Sequence, residues 1–152
     1  MKHSIVCQTS LTTFTIVEEN EQIIGVQFGN QAISEEATPL LLEAKKQIEE
    51  YIDGKRNTFS LPYHYQGSPF QNQVWKVIES IPYGQTLTYQ EIAKKMGKPK
   101  AYRAVGNALN KNPLPILVPC HRVVGSNHLG GYAGSFELKI ALLTLEKTNL
   151  TY

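Results

Sequence analysis

The chain places a thiol beside an imidazole in the run Pro119-Cys120-His121-Arg122-Val123. A cysteine attacks as the thiolate, and only about a few per cent of a thiol with an ordinary pKa is thiolate near neutral pH. A cationic or hydrogen-bonding neighbour changes that fraction, and His121 and Arg122 are such neighbours by sequence. The alternative is that Cys120 is a small buried apolar side chain and His121 a satisfied imidazole. The run therefore predicts nucleophilic chemistry at sulfur if the surrounding elements position it.

Two prolines control the approach to Cys120. Residues 112–115 (Asn-Pro-Leu-Pro) cannot continue a helix, because each proline lacks an amide donor and clashes with the preceding turn. Residues 116–118 then predict a buried extended segment that delivers Cys120. Adjacent side chains of a strand point to opposite faces, so Cys120 and His121 are not expected to touch directly. Either the chain turns at the cysteine, or a group such as a water bridges the pair.

An imidazole acts as a base when a partner, usually a carboxylate, orients its other nitrogen. The acids downstream of His121 are Glu137 and Glu146, both on a helix predicted over about residues 135–147. Glu137 falls in the first turn, where the helix dipole explains an acidic residue. Glu146 is therefore the candidate partner of His121, and a solvated surface carboxylate is the alternative.

The charge of the chain is unevenly distributed, although the net charge of its 152 residues is only +2. Residues 1–67 hold 5 of the 15 Lys and Arg residues and 9 of the 13 Asp and Glu residues, whereas residues 68–152 hold 10 and 4. The second half therefore suits an anionic partner, and a solvated lysine-rich face is the alternative.

Cysteine usage and hydropathy exclude several classes of protein. Cys7 and Cys120 are far apart, which argues against a disulfide framework and for a reduced compartment. Neither paired cysteines nor clustered histidines give a metal signature. No run approaches the roughly 18 apolar residues of a membrane span. We expect a cytoplasmic, soluble protein without a metal or a membrane partner.

The predicted elements indicate an α+β fold of two domains divided near residues 66–68. In residues 1–67, β-branched and aromatic segments at 4–6, 12–17 and 22–28 predict a small sheet with a turn at 18–21. A helix is predicted over 39–52 with Gly54 as its stop, and 58–65 resembles another strand. The N-terminal αβ domain is followed by a mainly helical domain over residues 68–152.

The second domain opens with a helix-turn-helix pattern. Capping boxes at 68–71 and 88–91 predict two helix starts, and a third helix is predicted from about 101 to 110. The outer face of this third helix carries Arg103, Gly106, Asn107 and Asn110. Its residues are therefore small or polar, and one of them is positively charged. Such a face can approach another backbone closely, although many helix-turn-helix proteins touch no DNA.

Five motifs occur in order across residues 68–147 and identify a family. They are Ile81-Pro82-Tyr83-Gly84, Thr88-Tyr89-Gln90, Arg103-Ala104-Val105-Gly106, Asn112-Pro113 and Pro119-Cys120-His121-Arg122-Val123. The second half closely resembles the O6-alkylguanine-DNA alkyltransferases, also called methylated-DNA–protein-cysteine methyltransferases. Residues 1–67 carry no comparable motif.

The resemblance implies DNA repair by direct, irreversible transfer of an alkyl group from O6-alkylguanine to Cys120, once per molecule and without a cofactor. It leaves O4-alkylthymine open as a second substrate. It implies that His121 deprotonates Cys120 through a water and that Glu146 orients His121. Asn112 is expected to hold the turn that carries the active-site strand.

The resemblance also implies how DNA is bound. The third helix, with Gly106 and Asn107, enters the minor groove of double-stranded DNA, and Arg103 replaces the extruded nucleotide in the stack. Tyr89 promotes rotation of the target phosphate and hydrogen-bonds the flipped base. The base pocket is lined by Val123, Tyr132 and Ala133. We expect the protein to act as a monomer.

The chain departs from the family pattern at two places. Ala133 stands where some relatives have serine, which removes one hydrogen bond to the guanine oxygen and leaves the preference among alkyl groups open. The set of zinc ligands found in the N-terminal domain of some relatives is incomplete in this chain. Cys7 lacks the partner cysteine, and His3 and His64 do not establish a site.

Two other classes of function compete with alkyl transfer. A binding module would be an alkyltransferase-like protein, which lacks the acceptor cysteine that this chain has, or a helix-turn-helix regulator, for which no effector domain is evident. A thiol hydrolase is the second class, and the adjacent Cys-His order without a protease signature argues against it.

Overall fold

The computed structural model describes residues 1–32, 35–126, 128–132 and 135–147. The chain divides into two units, Met1–Tyr65 and Gln66–Tyr152. This boundary lies two residues before the division predicted between residues 67 and 68. The predicted α+β class is confirmed, because a small sheet with one helix precedes a mainly helical unit.

The first unit contains a three-stranded antiparallel sheet in the order β1-β2-β3. Its strands are β1 (Lys2–Gln8), β2 (Thr13–Glu19) and β3 (Gln22–Phe28). Asn20 and Glu21 join β2 to β3 with φ values of 54° and 61°. Two consecutive left-handed residues match the twist of a tight hairpin, so the predicted turn is present.

One helix, α1 (Pro39–Ile52), packs on this sheet with the bounds that the sequence predicts. The side chain of Thr38 accepts a hydrogen bond from the Leu41 amide at 3.1 Å and so caps the first turn. Gly54, with φ +77°, follows the last turn, where a left-handed residue ends a helix. The buried side of α1 includes Leu41 and Ile48.

The strand predicted over residues 58–65 is wrong. This segment forms only one isolated bridge, between Ile23 and Tyr63. Ile23 donates its amide to the Pro62 carbonyl and accepts from the His64 amide, each at 2.9 Å. Because Pro62 has no amide to donate, the pairing does not extend into a ladder.

The second unit contains four α-helices and one short parallel strand pair among its described residues. The helices are α2 (Pro69–Glu79), α3 (Tyr89–Lys95), α4 (Tyr102–Asn110) and α5 (Phe136–Leu145). The strands are β4 (Leu87–Thr88) and β5 (Val123–Val124). Both predicted capping boxes, Ser68 with Gln71 and Thr88 with Glu91, are present.

Helix α4 packs against α2 and α3, which confirms the predicted helix-turn-helix arrangement. Val105, Ala108 and Leu109 are buried. The buried indole of Trp75 on α2 donates to the Ala108 carbonyl at 2.9 Å. Ala101 is the N-cap of α4 and is only half-buried. This packing fixes which face of α4 is exposed.

Candidate active site

The segment before Cys120 is buried but not extended, so that part of the prediction is wrong. Ile116 has φ +77°, and the Val118 amide donates to the Leu114 carbonyl at 2.8 Å. The segment satisfies its backbone in tight turns because its two prolines cannot donate to a strand ladder. The approach to the cysteine is therefore a compact, irregular loop.

The chain turns at the cysteine itself. Pro119 has φ −80° and ψ 66°, and the Cys120 amide donates to the Val118 carbonyl at 2.8 Å, which is an inverse γ-turn. A single 3₁₀ turn, Cys120–Arg122, follows and leads into β5. The chain thus turns at the cysteine, so strand alternation does not separate Cys120 from His121.

Asn112 bridges this loop from its start to its end. Its Nδ2 donates to the Val118 carbonyl at 2.9 Å, and its Oδ1 accepts from the Leu114 amide at 2.9 Å. The Asn112 side chain also opposes the rise of the pKa of the Cys120 thiol. One amide thus fixes the loop and favours the thiolate of the nucleophile.

Glu146 lies against His121, with Oε2 2.8 Å from Nε2 and both side chains without exposed surface. Arg122 holds the same carboxylate with two bonds, from Nε to Oε1 and from Nη2 to Oε2, each at 2.9 Å. The Gly84 amide donates to Oε1 at 3.1 Å. Glu146 is therefore a buried and fully bonded carboxylate, and the surface-charge alternative is wrong.

The position of Glu146 explains why so many donors surround it. It is the C-cap of α5, where the negative end of the helix dipole disfavours a carboxylate. A buried carboxylate is stable only when a cation and hydrogen bonds replace its water. The paired donors of Arg122 supply both, in the planar geometry that suits a carboxylate.

The Ile81-Pro82-Tyr83-Gly84 motif surrounds the Arg122–Glu146 pair. The Ile81 carbonyl accepts from Arg122 Nη1 at 2.7 Å, and the Tyr83 ring centre lies 5.7 Å from the guanidinium carbon. The Tyr83 hydroxyl donates to the Leu145 carbonyl at 3.3 Å. Gly84 has φ +81°, a backbone conformation that favours glycine.

Burial keeps the resting site uncharged at Cys120 and His121. It raises the pKa of the Cys120 thiol to about 11, against the opposing effects of Asn112 and the positive charge of Lys139. Burial also lowers the pKa of His121, which Glu146 opposes and Arg122 reinforces. Near neutral pH the cysteine is a thiol and the histidine a neutral imidazole, so the thiolate forms only when a proton is passed on.

The cation that acts on the cysteine is not the one that the sequence suggests. Arg122, which follows Cys120 by two residues, directs its guanidinium to Glu146. Lys139 on α5 supplies the positive charge instead. Sequence reasoning missed it, although Lys139 and Glu146 are seven residues apart and therefore share one face of the helix.

A cavity of about 220 Å³ opens beside Cys120. Its lining comprises Tyr89, Gly106, Leu109, Asn107, Asn110, Cys120, Gly131 and Tyr132. The structure thus brings four of the predicted DNA and pocket residues together with the cysteine. Val123 is buried in β5 and is not among the lining residues. Ala133 lies outside the described residues.

Tyr89 stands between α4 and the loop before α5. A Cβ at Gly106 would lie 3.9 Å from the Tyr89 ring, and one at Gly130 would lie 2.3 Å from its hydroxyl. Gly130, with φ +77°, therefore cannot be another residue without moving the ring. Burial raises the pKa of Tyr89, which a Gly131 backbone hydrogen bond opposes, so its hydroxyl remains a donor.

Arg103 lies outside the cavity. It is exposed on α4, one turn before Asn107, which is exposed on the same face. Nothing among the described residues pairs with its guanidinium in an ion pair. Arg103 and Asn107 therefore present a polar face next to the cavity mouth.

Two kinds of feature are absent from the described residues. No three His, Cys, Asp or Glu side chains gather there as a metal-binding group. No helix in that part of the chain is long and apolar enough to span a membrane.

Two family models match the chain. Residues 3–65 match the 6-O-methylguanine DNA methyltransferase ribonuclease-like domain, and residues 69–148 match the DNA binding domain of the same family. The constitutive methylated-DNA–protein-cysteine methyltransferase of Bacillus subtilis is 44% identical over 159 residues, which cover 97% of this chain and 96% of that protein. The methylated-DNA–protein-cysteine methyltransferase of Methanosarcina barkeri is 52% identical over 109 residues, covering 71% and 69%.

Solved structures show the same fold. The O6-methylguanine methyltransferase of Mycobacterium tuberculosis superposes with a TM-score of 0.87 at 33% identity and covers 100% of this chain and 97% of that one. A complex of the Mycobacterium tuberculosis protein OGT with DNA gives a TM-score of 0.83 at 34% identity, covering 96% and 92%.

Proposed function

Because the chain belongs to the 6-O-methylguanine DNA methyltransferase family and repairs DNA by alkyl transfer to a protein cysteine, we propose that Cys120 is the acceptor. The observation that carries this assignment is the cavity in which the sulfur lies, next to the buried His121–Glu146 pair. The other cysteine, Cys7, is completely buried in the sheet of the first unit, where its sulfur faces the Lys45 carbonyl at 3.9 Å. Of the two cysteines, Cys120 is therefore the one that an extruded nucleobase can reach.

The target base must leave the DNA stack before it reaches Cys120. The alkyl carbon on guanine O6 is out of reach of a protein sulfur inside a duplex, and extruding the nucleotide costs about a few kcal/mol. Arg103, exposed beside the cavity mouth, offsets part of this cost by occupying the gap in the stack. The polar face of α4 enters the minor groove, where small residues such as Gly106 permit close approach.

The chemical step is a displacement at carbon. The Cys120 thiolate attacks the alkyl carbon, a carbon–sulfur bond forms, and the bond from that carbon to guanine O6 breaks. The guanine leaves with the electron pair of the broken bond and gains one proton, which balances the proton that the Cys120 thiol gives up. The Tyr89 hydroxyl lines the cavity as a donor, so it stabilises the charge that develops on the ring.

The proton of the thiol passes to His121 through a water. Nε2 of His121 is held by Glu146, so the imidazole receives the proton at Nδ1, and the carboxylate stabilises the imidazolium that results. Arg122 keeps the carboxylate in the required plane. The Cys120 thiolate therefore forms only as His121 takes up the proton of the thiol.

The product limits each molecule to one reaction. A thioether is not reversed by thiol exchange, which acts on disulfides. Every residue of the proposed site, from Tyr89 to Glu146, belongs to the second unit of a single chain. A monomer therefore suffices for repair, and the acceptor is consumed.

The mass of the modified peptide tests the acceptor, the substrate and the stoichiometry together. Protein is incubated with excess duplex that contains O6-methylguanine, and its peptides are weighed. We expect one methyl group on the Cys120 peptide and none on the Cys7 peptide, with transfer stopping at one equivalent. Lesion binding that leaves both cysteines free would favour a binding module, and repeated turnover on an ester or peptide would favour a hydrolase.

We expect replacement of Arg103 with alanine to slow repair in duplex DNA about 10- to 100-fold, which corresponds to the loss of about 1.4–2.7 kcal/mol of the extrusion energy. The reaction with free O6-methylguanine base should be unchanged, because no nucleotide must be extruded. The measurement is the transfer rate on both substrates.

Lys111→Ala is the matched control for Arg103→Ala, because Lys111 is an exposed cation at the end of the same helix. It removes one positive charge without touching the polar face of α4. An equal loss on duplex and free base in Arg103→Ala would contradict the role of Arg103 in extrusion.

A further inference from the structure

A second cavity, of about 480 Å³, adjoins the cavity of the acceptor cysteine. Tyr89, Gly106 and Gly131 line both, so the two cavities meet at the Tyr89 ring. The rest of its lining consists of Gln90, Tyr102, Gly125, Ser126, His128 and Gly130. We call it the ring cavity, because Tyr89, Tyr102 and His128 carry rings. The chemical step described above does not use it.

Tyr102 brings an aromatic ring to this cavity from α4. It is 39% exposed, and it precedes Gly106 by four residues, so the two share one face of the helix. The buried residues of α4 do not include it, so the packing of the helix does not account for its ring. Arg103 is the next residue. The tyrosine ring therefore stands beside the side chain that we assign to the gap in the stack.

His128 brings a second ring from the loop after β5. Its Nδ1 accepts from the Gly130 amide at 3.1 Å, which leaves Nε2 as the nitrogen that carries a proton. The imidazole lies against the backbone of Gly125, where a Cβ would be 2.3 Å from the ring. The Ser126 hydroxyl donates to Gln90 Oε1 at 3.3 Å and so ties this loop to α3. The ring cavity thus has a donor nitrogen that its own loop holds in place.

The lining of the ring cavity suits a nucleobase better than a phosphate. No lysine or arginine lines it in the described part of the chain, whereas a phosphate is bound by cations or by several amides. Flat rings with a few polar groups suit a base, which stacks on its face and hydrogen-bonds at its edge. Because the alkylated base occupies the adjoining cavity, the base within reach is its neighbour in the damaged strand.

The pairing state of the DNA decides whether this neighbour can enter. In a duplex, extruding a second base costs about as much free energy as stacking on a protein ring supplies. In a single strand the neighbouring base has no pairing partner to lose, so stacking on the protein is a net gain. The ring cavity should therefore act on lesions in unpaired DNA.

We propose that the ring cavity binds the base next to the lesion when the damaged DNA is single-stranded, with that base stacked on Tyr102 and hydrogen-bonded by His128. This rests on the proposed transfer to Cys120 and extends it to unpaired substrate. Both cavities belong to the second unit, so one molecule holds both bases.

The test deletes the base and the ring in turn and measures binding. Single-stranded oligonucleotides with O6-methylguanine are titrated by fluorescence anisotropy in a Cys120→Ala background, so that transfer does not interfere. One oligonucleotide has adenine on both sides of the lesion, and in two others an abasic site replaces the adenine on one side. An abasic site keeps the sugar and the phosphate, so it removes the contact of the base alone.

We expect one of the two abasic oligonucleotides to bind about 5- to 150-fold more weakly, which is the range for one base stacked on an aromatic side chain. Tyr102→Ala should weaken binding of the intact oligonucleotide by a similar factor and leave binding of that abasic one unchanged. Tyr102→Phe keeps the ring and should keep the affinity. His128→Ala should lose about 2- to 10-fold, as one hydrogen bond requires, and only when the base is present.

Phe136→Ala is the matched control, because Phe136 is an exposed ring at the start of α5 and does not line the ring cavity. It should leave every affinity unchanged. A loss of equal size in Tyr102→Ala on the intact and the abasic oligonucleotides would overturn the proposal. Equal binding of all three oligonucleotides by protein with both rings would overturn it as well.

Duplex DNA with the same lesion gives a second comparison. The neighbouring base stays in the helix there, so Tyr102→Ala should change the affinity for duplex by less than about twofold. A loss on duplex as large as that on the single strand would contradict a role confined to unpaired DNA.

Methyl transfer separates this proposal from the assignment of Cys120. Protein that retains Cys120 is incubated with the single-stranded and the duplex substrates, and its peptides are weighed. If no methyl group reaches Cys120 from either substrate, the acceptor assignment fails whatever the binding measurements show. If transfer occurs but the loss in Tyr102→Ala does not depend on the neighbouring base, the role of the ring cavity fails alone.

Discussion

Cys120→Ala protein should transfer no methyl group from O6-methylguanine duplex, while it still binds that duplex. The sulfur forms the new bond, so its removal leaves no acceptor at the cavity, whereas the exposed face of α4, the proposed DNA contact, is unchanged. Cys7 cannot take over, because it is completely buried in the first unit and does not line the cavity. Peptide masses measure transfer, and an electrophoretic mobility shift measures binding.

Cys7→Ala is the control for the loss of a cysteine. It removes a thiol from the core of the first unit and should leave the stoichiometry of transfer at Cys120 unchanged. A methyl group found on any other residue of Cys120→Ala, at a rate near that of the unmodified protein, would show that the acceptor assignment is wrong.

Glu146→Gln should have the second large effect, on stability and on repair. The substitution leaves the buried Arg122 guanidinium without a counter-charge, and breaking a buried ion pair in this way costs about 3–5 kcal/mol. It also removes the carboxylate that raises the pKa of His121, so the imidazole becomes a weaker base. Denaturant unfolding gives the change in free energy, and single-turnover transfer gives the rate.

Two variants separate charge from packing in this prediction. Glu137→Gln removes an exposed carboxylate from the first turn of the same helix and should change stability by less than about 1 kcal/mol. The double variant Arg122→Met, Glu146→Leu should recover part of the stability, because no charge is left unpaired, yet it should not recover transfer. A Glu146→Gln protein as stable as the unmodified one would contradict the buried pair.

Features controlled by neighbouring residues could be predicted from the sequence. The capping boxes at Ser68 and Thr88 place two helix starts, because a side chain and an amide three residues apart satisfy each other whatever surrounds them. The fold class followed from such local signals. The sequence indicates Glu146 as the partner of His121 because few acids lie downstream of that histidine, and the structure places the two side chains in contact.

Features that depend on partners distant in sequence could not be predicted. The segment before Cys120 has the apolar composition of a strand, but its prolines and the bonds of Asn112 fold it into turns. The direction of Arg122 depends on Glu146, which is 24 residues away. By sequence Lys139 resembles a surface lysine, because nothing local indicates that the carbonyls of Val123 and Gly131 accept hydrogen bonds from it.

The deep burial of Cys120 has a consequence for how the protein is kept until it is needed. Each molecule repairs one lesion, so the number of molecules with an unreacted Cys120 sets how many lesions can be repaired. Oxidants and small electrophiles react with exposed thiolates, and a cysteine residue that is 6% exposed, with a thiol pKa that burial raises, resists both. The burial that makes this cysteine a poor nucleophile at rest therefore also protects unreacted protein from losing its acceptor to side reactions.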